Sequence, residues 1–172
     1  MAETVAAHGR AWINMPNFLA RTPVLFTTFI ATLAVMASFG AVQAAAGEPL
    51  LDFLMTGTAA NDRLAAMTEA QKSAHLWGTV LNDTAYPLAY GSLFAGLAFR
   101  FGARKLIYGL PALIGVLLDL TENTVQALAL SDIANLLYLK TGLTPLKFAM
   151  VAAAAGLALI LMARALWRKL KA

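Results

Sequence analysis

Long apolar segments separated by short polar ones make up most of this chain. Residues 22–46 contain no charged side chain, and at about 1.5 Å of rise per residue a helix of this length crosses a hydrocarbon core of roughly 30 Å. Residues 78–99, 106–130 and 145–166 are also long and mainly apolar. The pattern therefore predicts four transmembrane helices at these positions.

Residues that end and start helices mark the first polar connection. Gly47, Glu48 and Pro49 follow the first apolar segment, and glycine and proline at this position end a helix. Thr68 and Gln71 match the capping box that opens a helix. The second membrane helix is therefore predicted to begin with one or two polar turns, before its apolar part.

Pro87 lies inside the second predicted span, where it removes one backbone hydrogen bond. Membrane helices tolerate such a proline when a neighbouring group satisfies the carbonyl that it frees. We therefore treat the segment as one span, in which the proline can kink the helix.

The distribution of basic residues predicts the orientation of the spans. Lysine and arginine are concentrated near the helix ends in the N-terminal tail (residues 1–21), the loop at residues 100–105 and the C-terminal tail (residues 167–172). Such residues mark the cytoplasmic side of a membrane protein. Both termini are therefore predicted to be cytoplasmic, and the connections at residues 47–77 and 131–144 are predicted to lie outside.

The composition agrees with a membrane protein. Hydrophobic residues make up 60% of the chain and charged residues 13%, which is too apolar for an ordinary soluble domain. The predicted fold is all-α: a polytopic bundle of four transmembrane helices over residues 22–166. We expect it in the bacterial cytoplasmic (inner) membrane, in contact with membrane lipid.

The residue types limit the chemistry. The chain has no cysteine, so disulfides, thiolate nucleophiles and cysteine-ligated metals are excluded. No pair of histidines lies within the spans, so no haem is expected. His75 is spaced to share a metal with Asp83, but beside Trp77 it is typical of an interfacial residue, and no metal site is predicted. The basic tails are expected to meet anionic lipid, and no nucleic-acid partner is predicted.

A polar face interrupts the apolar third span, and its residues are Asp119, Glu122, Asn123 and Gln126. Their spacing of i, i+3, i+4 and i+7 places them on one side of a helix. Carboxyl groups that face lipid are very costly. This face is therefore predicted to contact protein or water.

Two other spans bring polar groups to the same depth. Asp83 lies near the outer end of the second span, with Tyr86 and Tyr90 at i+3 and i+7, and Lys147 lies near the outer end of the fourth. Because successive spans run in opposite directions, these groups should meet the third span in the outer half of the bilayer. The predicted cluster contains Asp83, Tyr86, Tyr90, Asp119, Glu122, Asn123, Gln126 and Lys147.

The predicted cluster has an excess of negative charge. Asp83, Asp119 and Glu122 face a single lysine, Lys147, and unpaired charge in a low dielectric is unfavourable. Some carboxyls must hold protons, bind a cation or meet water from outside. The cluster is either a structural device that fixes the register of the helices or a pocket for a ligand, ion or reaction. A third reading leaves these residues in water, with the spans misplaced.

Three segments of the predicted spans together resemble a family of small four-span membrane proteins of bacteria and fungi that has no known activity. The segments are residues 83–90, Pro111 followed by residues 119–123, and residues 144–148. The family pattern has an aspartate shortly before a proline and tyrosine, an aspartate followed by a Glu-Asn pair, and a lysine followed by an aromatic residue. The resemblance covers about residues 50–155, and Leu120 departs from it where an aromatic residue is common. It implies the polar cluster but no activity.

The sequence leaves two classes of function open. The leading hypothesis is a non-enzymatic binding or accessory subunit of a membrane assembly, with a protein partner in that complex. The alternative is a small membrane enzyme or transporter that uses Asp83, Asp119 and Glu122 on a lipid-like substrate or a cation. No cofactor is predicted, and whether the protein is an enzyme stays open.

Overall fold

The computed structural model describes residues 14–103 and 105–171. The predicted N-terminal tail is therefore described only from residue 14, and Arg104 of the basic loop lies outside the described residues. Over the part of the chain that is described there is no β-strand, so the all-α prediction is confirmed.

A short helical segment precedes six α-helices. The six α-helices are α1 (Thr22–Ala46), α2 (Gly57–Ala66), α3 (Glu69–Trp77), α4 (Asp83–Phe101), α5 (Leu110–Leu130) and α6 (Lys140–Leu170).

Three helical segments are long and apolar enough to cross a membrane: Thr22–Ala46, Leu106–Leu130 and Leu137–Leu170. The first two coincide with predicted spans. The last two each begin with a short 3-10 turn that leads directly into α5 or α6. Length and composition of these helices favour a membrane protein.

The polar start predicted for the second span is α3, and it is continuous with α4. The Thr68 hydroxyl accepts from the Gln71 backbone N–H (3.3 Å), and the Gln71 side-chain carbonyl accepts from the Thr68 backbone N–H (3.0 Å), which confirms the capping box. A π-helical turn, Gly78–Asn82, joins α3 to α4. Turns of this kind are frequent at functional sites.

The connection predicted at residues 131–144 is shorter in the structure, because α6 already begins at Lys140. The predicted start at Pro145 is therefore corrected, and this proline lies inside the helix. Proline is favoured in the first turn of a helix, which is why the sequence predicts a start at this residue. Here the buried side chains of Lys140 and Thr144 both bind Glu122, which holds the first turns of α6 against α5.

The helices α4 and α5 form the centre of the bundle. α4 packs against α1, α5 and α6, and α5 packs against α6. α1 lies at the edge and has no buried residue in its most apolar part. It contacts the centre through a hydrogen bond from the Asn82 amide to the Ser38 hydroxyl and through an edge-to-face contact of Phe39 with Tyr86 (5.7 Å between centroids).

One end of the bundle is basic. Arg100 donates hydrogen bonds to the Ala20 carbonyl (3.2 Å) and to the Thr22 hydroxyl (2.8 Å), which joins the end of α4 to the start of α1. Lys105 and Arg164 line one cavity at this end. The C-terminal part of α6 and the start of α1 therefore lie at the same end as the basic loop.

Residues 47–68 fold over the opposite end of the bundle, and we call them the cap. Leu50 and Leu51 of the cap are almost completely buried. Leu51 belongs to an apolar core that includes Val125 of α5 and Leu137 before α6. The cap is therefore part of the folded bundle and covers this end of α5.

Candidate functional site: a buried polar network

Glu122 lies at the centre of a buried ion network. Its side chain is fully enclosed. One carboxylate oxygen, Oε1, accepts hydrogen bonds from the Lys140 ammonium and from the Thr144 hydroxyl (2.8 Å). The other, Oε2, lies 2.9 Å from the Lys147 Nζ atom. Two lysines and a hydroxyl therefore surround a single carboxylate.

The network forms because one face of α6 meets one face of α5. Lys140, Thr144 and Lys147 are spaced i, i+4 and i+7, so all three project from the same side of α6. Asp119 and Glu122 project from the facing side of α5, and all five side chains are buried. Lys147 therefore lies against the acidic face of α5.

Asp119 extends the network to α4. Its Oδ1 atom lies 3.3 Å from Lys147 Nζ, and its Oδ2 atom accepts a hydrogen bond from the Tyr90 hydroxyl (2.8 Å). Lys147 therefore bridges Asp119 and Glu122. Tyr86 joins only through its ring, which packs edge-to-face against Tyr90 at 5.2 Å between centroids.

A second part of the network connects α5 to the cap. The Gln126 side-chain N–H donates a hydrogen bond to Asp52 Oδ1 (2.8 Å), and both side chains are buried. Beside it, His75 Nε2 accepts a hydrogen bond from the Leu51 backbone N–H (2.9 Å), and His75 Nδ1 lies 3.1 Å from the Thr79 hydroxyl. The cap is therefore held by polar contacts to both α3 and α5.

The environment of His75 fixes its charge state. Because Nε2 accepts a hydrogen bond from a backbone N–H, the proton of the neutral ring lies on Nδ1, which donates to Thr79. Burial lowers the pKa of His75 below its ordinary value. The expectation that His75 is an interfacial residue is wrong, because the cap covers it and leaves only 1% of it exposed.

Asp83 lies in the second part of the network and not beside Lys147. Its carboxyl group is adjacent to that of Asp52. Its backbone carbonyl accepts a hydrogen bond from the Asn123 side-chain N–H (2.6 Å). Of the three predicted carboxyls, Asp119 and Glu122 therefore pair with lysine, and Asp83 faces another carboxyl.

Several buried oxygen atoms in the second part have no hydrogen-bond donor within the described chain. They are Asp52 Oδ2, Asn123 Oδ1 and Gln126 Oε1. Glu122 Oε2 also lacks a hydrogen bond of good geometry, but it has the Lys147 ammonium as a counterion. The shortage of donors is therefore confined to the part of the network beside the cap.

The network carries more acid than base. Asp52, Asp83, Asp119 and Glu122 are four carboxyls, against the two ammonium groups of Lys140 and Lys147. If all were ionised, two negative charges would be uncompensated, which is the excess that the sequence predicts with three carboxyls and one lysine. The structure adds one carboxyl, Asp52, and one ammonium group, Lys140, so the excess of two negative charges is unchanged.

A groove of about 580 Å³ lies beside the network, between α3 and α5. Its walls are mainly apolar, with Trp77 and Leu120 among them, and Thr79 and Thr84 also line it. Asn123 also lines it, so one wall of the groove belongs to the network.

Sequence reasoning missed Lys140, Thr144 and Asp52. The first two share a face with Lys147 at helical spacing, and extending that face past Pro145 would have found them. Asp52 gives no local signal, because its burial depends on the folding of the cap over the bundle. Within the described ranges, no group of three or more His, Cys, Asp or Glu residues is arranged to hold a metal ion.

Comparison with known proteins finds no relative of this chain: no family model matches, and neither the curated proteins nor the solved structures give a match. The resemblance to small four-span membrane proteins therefore stays an expectation from the motifs alone. Function is inferred from the geometry of the network.

Proposed function

We propose that this protein crosses the bacterial cytoplasmic membrane four times, with both termini in the cytoplasm. Three membrane-length apolar helices support the proposal. The fourth span is α4, which is less apolar because it carries Asp83, Pro87 and two tyrosines. Since α1, α5 and α6 all pack against α4, its polar groups face protein, and it needs less hydropathy than a lipid-facing helix.

The charge of the two ends supports the proposed orientation. Arg100, Lys105 and Arg164 lie at one end, beside the start of α1. The opposite end holds the cap, with Glu48 and Asp62 exposed. By the positive-inside rule the basic end is cytoplasmic and the cap is outside.

Within the membrane we assign the protein a non-enzymatic role as a binding or accessory subunit. The enclosure of Glu122 by Lys140, Thr144 and Lys147 carries this proposal. A carboxylate with no exposed surface and two lysine counterions is not positioned to contact a substrate. It does fix the register of α5 against α6, a role that buried ionic groups fill in other helical bundles.

A protein partner in the membrane is supported by the free face of α1. This helix has membrane length but no buried residue in its most apolar part. Its exposed side carries Ala37, Gly40, Ala41 and Ala44 at i, i+3, i+4 and i+7. Small residues at this spacing allow another helix to approach closely. We propose that α1 contacts a partner subunit through this face.

The experiment compares Glu122→Gln with Asp62→Asn, a matched loss of an exposed carboxyl. Thermal stability in detergent, the size of the native complex and complementation of a gene deletion are measured together. A structural role predicts that Glu122→Gln lowers all three and Asp62→Asn none. Glu122→Gln with unchanged stability and complex size but lost complementation would identify Glu122 as a chemical group and refute the proposal.

The groove favours a second candidate, a small enzyme or transporter for a lipid-like substrate. Its apolar walls suit an acyl chain, and Asn123, which lines it, donates a hydrogen bond to the Asp83 backbone carbonyl. Labelling with a photoreactive lipid, with and without a Leu120→Trp substitution that fills the groove, tests it. Labelling that is specific and lost in the variant would favour this function.

A further inference from the structure

The second part of the network places buried oxygen atoms close together with too few donors. The Gln126 amide is fully buried, and its N–H group lies 2.8 Å from Asp52 Oδ1. Its carbonyl oxygen, Oε1, is bonded to the same carbon as the donating nitrogen, so it lies within about 5 Å of Asp52 Oδ1. Neither this atom nor Asp52 Oδ2 has a hydrogen-bond donor in the described part of the chain. The adjacent Asp83 carboxyl adds two more oxygen atoms.

The negative charge of Asp52 and Asp83 is also uncompensated. Among the described residues, no lysine or arginine lies within salt-bridge distance of Asp52 or Asp83. Lys140 is paired with Glu122, and Lys147 with both Glu122 and Asp119. The excess of negative charge in the network is therefore concentrated on the two aspartates.

The charged and titratable groups around the pair do not remove this excess. From α5, Asp119 and Glu122 add further negative charge, and the lysines of α6 face those two carboxylates first. From α3, His75 is held neutral by the hydrogen bond from the Leu51 N–H to Nε2. From the cap, Arg63 donates to the backbone carbonyls of Ala46 and Pro49.

We propose that a hard metal cation binds between Asp52, Asp83 and Gln126. Carboxylate and amide carbonyl oxygens are the ligands that such ions, Ca²⁺ above all, take in proteins. Two carboxylates balance the charge of one divalent ion. Asn123 Oδ1, one helical turn from Gln126 on α5, is a further buried oxygen without a donor. The site goes beyond the proposed function and does not depend on it.

The position of the site gives the ion a structural consequence. Its ligands come from three elements: Asp52 from the cap, Asp83 from α4, and Gln126 from α5. A bound cation would therefore clamp the cap onto the bundle. Asp52 is 8% exposed to solvent, so an ion is expected to reach the site from the cap side of the protein.

The test uses full-length protein purified in detergent and stripped of ions with a chelator. Its thermal unfolding is followed while CaCl₂, MgCl₂ or NaCl is added at constant ionic strength, with choline chloride as the balance. A bound ion predicts a Tm that rises and saturates with one of these salts, because a ligand of the folded state stabilises it. The ion that acts at the lowest concentration identifies the site's preference.

Variants locate the effect. Gln126→Met removes the amide oxygen at similar volume, and Asp83→Asn removes one carboxylate. Each substitution should raise the salt concentration at which the Tm response is half-maximal by at least tenfold. Asp62→Asn, an exposed carboxyl in the same cap, should leave it unchanged. If Asp83→Asn does not fold, Gln126→Met alone decides. When Ca²⁺ is the active ion, direct binding of ⁴⁵Ca²⁺ to the wild type and to Gln126→Met is the second measurement.

Three results would overturn the proposal. A Tm that depends on pH but on none of the salts would show that the two aspartates share a proton instead. A salt response that is equal in Gln126→Met and the wild type would place the ion elsewhere. A response lost in Asp62→Asn would place it on the surface of the cap. None of these outcomes bears on Glu122, so the proposed function is tested separately.

Discussion

The Asn123 side chain donates a 2.6 Å hydrogen bond to the backbone carbonyl of Asp83. This carbonyl is the one that Pro87 leaves without its helical partner, because proline has no N–H to donate to the residue four positions earlier. A side chain of α5 therefore repairs a hydrogen bond that the sequence of α4 cannot make. The same contact fixes α4 beside the acidic face of α5.

This relationship predicts a conditional effect of Asn123→Ala. In the wild-type background the substitution leaves a buried carbonyl unsatisfied, which costs about 1 to 3 kcal/mol. In a Pro87→Ala background the new N–H can satisfy the carbonyl within the helix, so the cost of Asn123→Ala should be smaller. A double-mutant cycle in detergent denaturation measures the coupling. Equal costs in both backgrounds would show that Asn123 does not serve this carbonyl.

The two lysines of α6 should be necessary for stability. Lys140→Met or Lys147→Met removes one partner of a buried ion pair, a class of change that costs about 3 to 5 kcal/mol. Combining Lys140→Met with Glu122→Gln should recover part of the loss, since the uncompensated carboxylate is neutralised. Lys105→Met, at an exposed position, is the control. Unchanged stability in both single variants would mean that the two ammonium groups are solvated.

Orientation can be measured directly because the chain has no cysteine. Single cysteines at Asp62 and at Lys105 are labelled in intact cells with a reagent that does not cross the membrane. Asp62→Cys should react from outside, and Lys105→Cys only after the membrane is opened. Labelling of Lys105→Cys from outside would reverse the proposed topology and place the network in the inner half of the bilayer.

Acid should loosen the cap through His75. Protonation of Nε2 removes the acceptor of the Leu51 N–H, and burial lowers the pKa of His75 from its ordinary value of 6.5. Arg63 and Lys140 lower this pKa further, while Asp52 opposes them. Because the folded-state pKa lies below the unfolded one, the unfolded chain binds more protons. The contribution of His75 is complete above about pH 6.5 and is lost as the pH falls toward the folded-state pKa.

Thermal unfolding at pH 7.5, 6.5 and 5.5 tests this prediction. Tm should fall with pH in the wild type and in His8→Gln, which removes the other histidine. The part of this fall in Tm that is due to protonation of His75 should disappear in His75→Gln. An identical pH dependence in His75→Gln and the wild type would assign the effect to the carboxyls of the network.

The sequence by itself determined the all-α class, two of the membrane-length helices and the acidic face that meets Lys147. These features are local or periodic. An uncharged segment as long as residues 22–46 has few alternatives to a helix, and the spacing of Asp119, Glu122 and Gln126 is the spacing of a helix face. The freed carbonyl at Pro87 likewise required a neighbouring donor, although the sequence did not say which residue supplies it.

Only the tertiary structure decided the composition of the network. The start of α6 at Lys140 contradicts the local signal of Pro145, because contacts of Lys140 and Thr144 with Glu122 outweigh it. Asp52 belongs to a polar connection and becomes a buried acid only when the cap closes over α5. Such burial depends on contacts between residues far apart in the chain, so no local pattern records it. The sequence left the excess charge shared among Asp83, Asp119 and Glu122, and the folded contacts leave it on Asp52 and Asp83, beside the cap.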